Sequence, residues 1–203
     1  MSDALLQTGE CPQIRPYSLS LPSTARAAIK AQQPRCIWMT GLSGAGKSTL
    51  ANALEVQLNQ QSLHTFLLDG DNVRAGLCSD LGMNPAARKE NIRRMAHVAR
   101  LMVDAGLIVI VSAISPFRAE REAAKALFAP REFFSVYVST SFATCARRDP
   151  KGLYRKALSG QIRDFTGLDS PYERPLDADC EIDTEHLALK DAVAVVLDRL
   201  QIA

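Results

Sequence analysis

The sequence predicts an α/β protein: a three-layer sandwich in which helices cover both faces of a five-stranded parallel sheet. Three observations carry the prediction. Five short apolar runs alternate with amphipathic stretches from residue 35 onward, the rhythm of parallel strands joined by right-handed helical crossovers. A glycine-rich octapeptide fills the first strand-to-helix turn. The 203 residues, 47% hydrophobic and 23% charged, also suit a single domain with a full core.

Taken in order, residues 1–34 read as an arm ahead of the domain. Pro12, Pro16, Pro22 and Pro34 interrupt it, and only Thr24 to Gln32 suits a short helix. It is either a solvated tail or a segment packed on the domain or on a neighbouring subunit. The domain spans residues 35–203. Cys36–Thr40 is its first strand and Lys47–Gln60 the crossover helix. Thr65–Asp69 then precedes Pro85–Asp104, and Leu107–Ile114 precedes Phe117–Phe128. Phe133–Ser139 is followed by Phe142–Arg148, and Cys180–Asp183 by His186–Leu200. On the 85–104 helix, Ile92, Ala96, Ala99 and Val103 form the core-facing stripe. Lys89, Arg93 and Arg100 fall outside that stripe and read as solvated. Trp38 reads as strand core, and His64, His97 and His186 as surface residues. Between Asp149 and Asp179 the rhythm breaks. That stretch is polar, holds three glycines and three prolines, and suits one short helix at Leu153–Leu158. So long a segment without a core pattern inside a compact domain reads as a lid.

Charge and cysteines narrow the class. A net charge of +2 argues for neither nucleic acid nor an anionic membrane as partner. Cys11, Cys36, Cys78, Cys145 and Cys180 are scattered with no C-x-x-C pair, which fits reduced thiols in a cytosolic protein and gives no support for zinc. There is no basic-then-apolar signal segment. The longest apolar run, Leu107–Ile114, falls well short of the roughly 20 residues a bilayer needs. These features point to a cytoplasmic protein.

The chemistry begins at Gly41-Leu42-Ser43-Gly44-Ala45-Gly46-Lys47-Ser48, between a β-branched, aromatic strand and an Ala/Leu-rich helix that opens with Thr49. This G-x-x-x-x-G-K-S arrangement is a phosphate-binding loop and places the chain in the P-loop NTPase fold. Gly41, Gly44 and Gly46 let successive N–H groups turn inward onto an anion. The helix that follows adds roughly half a positive charge at its start. Lys47 suits the β- and γ-phosphates of ATP, and Ser48 the Mg²⁺ that accompanies them. A guanine-binding N-K-x-D is absent, and both D-x-x-G matches lie in the irregular stretch, so a switch GTPase is disfavoured.

Ligands of open parallel sheets bind beyond the carboxyl ends of the strands. Asp71, just past the second strand, suits either the water shell of Mg²⁺ or the proton of an acceptor hydroxyl. Arg74 offers a guanidinium fork to phosphate or sulfate. Arg88 and Asn91 share a helix face, continued by Met95. Ser115, before Pro116, reads equally as a helix N-cap and as an active-site residue. Arg147 and Arg148 are equal candidates on spacing for charge on the transferring phosphoryl group. Thr184 reads equally as an N-cap and as a contact to the adenine or ribose of ATP.

Six blocks occur in one order: Gly41–Thr49 (GLSGAGKST), Leu68–Arg74 (LDGDNVR), Glu90–Arg94 (ENIRR), Ile114–Arg118 (ISPFR), Arg148–Tyr154 (RDPKGLY) and Phe165–Glu173 (FTGLDSPYE). Together they resemble the adenylylsulfate kinases (APS kinases) over residues 35 to 203. The resemblance implies transfer of the ATP γ-phosphate to the 3′-hydroxyl of adenosine 5′-phosphosulfate (APS), giving PAPS and ADP in sulfate activation. It implies Asp71, Arg74, Met83, Arg88, Asn91, Ile114, Ser115, Lys151 and Phe165 at the APS site, with Phe165 stacked on the adenine and Lys151 reaching in from the lid. Ser115 matches the serine assigned in the family as a phosphoserine intermediate, although in-line transfer to a positioned hydroxyl needs no covalent enzyme step. It also implies a homodimer and raises association with an ATP sulfurylase. Relatives usually carry Phe-Ser where this chain has Met83-Asn84, and Asp where it has Ala87. Methionine still packs on a purine face, so weaker adenine binding is expected, with the substrate unchanged. Two other readings stand beside it, a different small-metabolite or nucleoside kinase and a non-catalytic kinase-like binding module. The first has no need of Arg74, Arg88 and Phe165 together, and intact Lys47, Ser48 and Asp71 argue against the second.

Overall fold

The computed structural model describes Arg15 and residues 17–201. Residues 1–14 of the expected arm, with Cys11 and Pro12, and also Pro16, lie outside the described residues. Five parallel strands, β1 (Arg35–Thr40), β2 (Thr65–Asp69), β3 (Ile108–Ser112), β4 (Phe133–Val138) and β5 (Cys180–Ile182), stand in the order β2-β3-β1-β4-β5. The helices are α1 (Ser23–Ile29), α2 (Lys47–Gln60), α3 (Gly70–Ala75), α4 (Pro85–Asp104), α5 (Arg118–Lys125), α6 (Phe142–Arg148), α7 (Leu153–Leu158) and α8 (Leu189–Leu200).

Side chains alternate across a strand, and β1 shows what that does here. Ile37 and Met39 face one layer with Leu50, Leu54 and Leu58 of α2 and Val193 and Val196 of α8. Cys36 and Trp38 face the other, with Met95, Ala99 and Val103 of α4 and Ala124 of α5. Strand β3 repeats the split, with Ile108 and Ile110 on the first face and Val109 and Val111 on the second. Both faces are dry, which is why these strands read as continuous apolar runs. Each fully buried leucine or isoleucine contributes roughly 1.5–3 kcal/mol. Register places Ile37 beside Ile110 on one side and Phe134 on the other. Since β1 has β3 on one flank and β4 on the other, a crevice opens beyond its carboxyl end.

Helix α4 starts where its sequence says it should. Asn84 Oδ1 accepts from Ala87 N at 2.8 Å, and Pro85 occupies the first turn. All four residues of its expected apolar stripe are buried. Arg100 departs from expectation: it is largely buried, over the Phe128 ring, and pairs with Glu132 and Asp104. Asp104 stands at the i,i+4 spacing of a helical ion pair, while nothing in the sequence pointed to Glu132, 32 residues away. Helix α3 was not expected, because six residues are too few to show a period. The Asp69 side chain caps it, accepting from Asp71 N at 3.0 Å.

Two N-cap readings are corrected. Helix α5 begins at Arg118 with Phe117 before it. Ser115 adopts a left-handed φ of 37°, and its side chain turns inward. The first N–H of α5 is capped from far away in sequence, by Glu173 Oε2 on Arg118 N at 2.6 Å. Helix α8 begins at Leu189, not His186, because Asp183–His186 closes into a turn with His186 N on Asp183 O at 3.3 Å. Thr184 therefore lies off that helix. The described part of the arm is stapled where the strands begin. Gln32 Nε2 donates to His64 O at 3.0 Å and Gly106 O at 2.8 Å, and its Oε1 accepts from His64 N at 2.7 Å.

Candidate functional site

A cavity of about 770 Å³ opens at the carboxyl ends of the strands. One wall is the turn from β1 into α2. Ser43, Gly44, Gly46, Lys47, Ser48 and Thr49 line it, while Gly41, Leu42 and Ala45 lie behind and shape it. A Cβ on Gly41 would stand 2.5 Å from Val138 O, so only glycine lets the turn pass that close to β4. The buried Ala45 carbonyl accepts from Thr140 Oγ1 at 3.0 Å and Thr184 Oγ1 at 2.8 Å. The loop is thus pinned from the ends of β4 and β5. Lys47 is 7% exposed, with Nζ donating to Gly41 O at 2.9 Å and Leu42 O at 2.8 Å. Burial brings its ammonium down to about 8, partly offset by the carboxylate of Asp69.

Spacing left Arg147 and Arg148 equal, and geometry separates them. Arg148 lines the cavity, donating through Nη1 to Thr184 Oγ1 at 2.8 Å and through Nη2 to Thr184 O at 2.7 Å. Arg147 turns away to Thr144 Oγ1 at 2.9 Å.

Ser48 Oγ donates to Asp69 Oδ2 at 2.6 Å and lies 3.3 Å from Ser112 Oγ. Sequence reasoning missed Asp69 here, although its place at the carboxyl end of β2 was the available signal. These hard oxygen donors fit Mg²⁺. Among the described residues no three His, Cys, Asp or Glu side chains cluster as a metal cage. Asp71 stands two residues further on, in the first turn of α3, and pairs with Lys151 Nζ from the 149–179 segment.

The opposite wall comes from α3, α4 and that same segment. Arg74 donates to Gly82 O at 3.1 Å, beside Met83, which is 61% exposed. Arg88 reaches Thr166 Oγ1 at 2.6 Å and also Asp164 O. Burial lowers both guanidinium pKa values, yet arginine stays charged. Asn91 is 4% exposed and lines the cavity. Its Nδ2 meets Met95 Sδ at 3.4 Å, while its Oδ1 has no partner among the described residues. Phe165 lines the same wall, its ring edge-on to Tyr154 at 4.9 Å. Ile114 and Ser115 close the floor. Ser115 is 1% exposed, and its Oγ accepts from Trp38 Nε1 at 3.1 Å. Arg121 Nη1 holds the Ser115 carbonyl at 2.7 Å, and its Nη2 holds Glu173 O at 2.7 Å. Arg121 and Glu173 escaped sequence reasoning because nothing in their spacing links them to the turn they fix.

The cleft therefore joins the glycine-rich turn and the Ser48–Asp69 oxygens to a basic, partly aromatic wall. The sequence model of the adenylylsulphate kinase family matches residues 33–183. An adenylyl-sulfate kinase of Aeromonas salmonicida is 56% identical over 87% of this chain and 88% of its own. One from a Shewanella species is 54% identical over 89% and 88%. Among solved structures, the Mycobacterium tuberculosis APS kinase in complex with AMPPNP and APS is 43% identical, with a TM-score of 0.80, covering 84% of this chain and 99% of that one.

Proposed function

The chain belongs to the adenylylsulphate kinase family, and on that premise we propose how its cleft moves the ATP γ-phosphate to the 3′-hydroxyl of adenosine 5′-phosphosulfate. The activity is that of an ATP-dependent phosphotransferase. One observation carries the division of labour: the phosphate loop and the wall of Arg74, Arg88, Asn91 and Phe165 line a single cavity. Such transfer is mainly positioning plus electrostatic stabilisation.

The backbone N–H groups of 43–48 and the Lys47 ammonium hold the β- and γ-phosphates. Ser48, braced by Asp69, would hold Mg²⁺, which neutralises charge on those oxygens when bound. Arg148, fixed on Thr184, faces the nucleotide. Across the cavity, Arg74 and Arg88 take the phosphosulfate charges, Asn91 Oδ1 accepts from the ligand, and Phe165 and Met83 flank the adenine. Asp71 receives the acceptor hydroxyl proton, and Lys151 holds its carboxylate in place. The 149–179 segment acts as a lid that excludes water and so favours transfer over hydrolysis. The Ser115 hydroxyl, already engaged by the Trp38 indole, shapes the pocket floor, and phosphate passes in line without a phosphoserine.

No described helix is long and apolar enough to cross a membrane. Four described cysteines carry free thiols, which supports work in the reducing cytoplasm. Family membership supports a homodimer and contact with an ATP sulfurylase. The deciding experiment is a coupled assay of ADP release with APS as the varied substrate. Release that saturates with APS supports the proposal, and release indifferent to APS sinks it.

A further inference from the structure

Tyr154, on the first turns of α7, touches both walls of the cavity without lining it. It is 1% exposed. Its hydroxyl donates to the carbonyl of Ser43, inside the phosphate loop, at 2.8 Å. Its ring meets Phe165 edge-on, with centroids 4.9 Å apart at 78°, and Phe142 at 5.4 Å and 73°. Its backbone N–H donates to Asp149 Oδ1 at 3.0 Å, which fixes where α7 begins.

A filler for this space needs ring volume alone, and phenylalanine supplies that without a buried hydroxyl to satisfy. Here the hydroxyl lands on one of the residues that line the phosphate side, while the ring rests on the residue that lines the acceptor side. A tyrosine has only two side-chain torsions, so a buried ring bonded at its tip is a short stiff strut. The surroundings leave it little slack. A Cβ on Gly167, two residues beyond Phe165, would stand 2.9 Å from Leu42 Cδ2 and 3.3 Å from Phe142 Cδ2, so the segment bearing Phe165 packs directly on the loop bearing Ser43.

We infer that Tyr154 is a positioning residue that couples the two substrate sites, passing the position of the phosphate loop to the Phe165 platform and back. The inference rests on the assignment of the loop to ATP and of the Phe165 wall to APS. A coupling of this kind is reciprocal: whatever AMPPNP does to APS affinity, APS does to AMPPNP affinity by the same factor.

The experiment is calorimetric titration of the full chain with APS, alone and saturated with AMPPNP, followed by the reverse order. For the wild type, the second ligand is expected to change affinity by about fivefold or more. Tyr154→Phe keeps the ring and loses the hydroxyl, so the factor is expected to fall to within about twofold of unity while both ligands still bind. A role in packing alone predicts the opposite, altered thermal stability with the factor unchanged, and that result overturns the inference. So does a wild-type factor of one. If Tyr154→Phe does not fold, Phe165→Leu cuts the strut from its other end, and retention of the wild-type factor there overturns the inference equally. Wild type that binds AMPPNP but never APS defeats the functional assignment itself, a different outcome from binding without coupling.

Discussion

Lys47 shows how much one side chain can carry. Its burial, which brings the ammonium down to about 8, leaves a weakly solvated charge where phosphates arrive. The protonated form of the free enzyme is the one that attracts them, so kcat/KM for ATP is expected to fall as pH climbs through about 8, which a pH–rate profile checks. For stability the sign reverses. The unfolded lysine keeps its proton up to its ordinary 10.5, so between the two values the unfolded state binds more protons and this group's contribution to stability rises with pH. Lys47→Ala is expected to lower phosphoryl transfer by at least about 10²-fold, and near-normal turnover would remove Lys47 from the mechanism. Arg88→Ala should weaken APS binding by about tenfold or more, the worth of one charge-assisted pair, and leave ATP affinity nearly alone. Equal losses in the two titrations would mean the acceptor wall is misplaced. Legibility at this scale followed the chemistry. Lys47 and Ser48 could be read because their spacing is their function. Asp69 was missed because its contact with Ser48 spans 21 positions and only its place at a strand end hinted at it, and Ser115 was open to misreading because a left-handed turn leaves no trace in composition.

Among the elements, the helices of the core and the strands were readable from period and apolar runs, and α2, α4 and α6 begin and end where their sequences imply. Short pieces were not: α3 has too few residues for a period, the start of α5 is set by a contact from distant Glu173, and the start of α8 is delayed by the local turn at Asp183–His186. The 149–179 segment carries its own local braces, Asp149 Oδ2 accepting from Arg155 N at 3.0 Å and Asp169 Oδ2 from Asp164 N at 2.8 Å, besides its bonds to the walls of the cavity. Gly167 has a φ of 92°, a conformation that strains any other residue, and a Cβ there would push the Leu42 side chain aside. Gly167→Ala is therefore expected to destabilise the fold by about 1–3 kcal/mol and to raise KM for both substrates. Thermal unfolding together with steady-state kinetics checks this, and an unchanged KM would show that packing of this segment on the loop is not needed for binding.

For the molecule as a whole, the sequence implied how many strands and which way they run, because parallel strands need long crossovers. It did not imply that β3 lies between β2 and β1, since each strand reads alike once both faces are dry. The two hydrophobic layers lie on opposite sides of the sheet and reach the cavity only at their edges, through Phe165 and Ala192 of the first and Ile92 and Ala113 of the second. Leu54→Ala, within the first layer, is expected to remove about 2–5 kcal/mol of stability with turnover per folded molecule unchanged. Denaturant melts beside active-site titration test it, and a matching fall in turnover would mean the layer and the cavity are not separable. Because the five strands all point one way, the two ends of the molecule answer to different demands. At one end Gln32 clasps His64 and Gly106 and ties the turns together. At the other, the wall that faces the acceptor can be rewritten while the glycine-bound turn after β1 and the interior stay as they are, so descent can alter what such a protein acts on without rebuilding what keeps it folded.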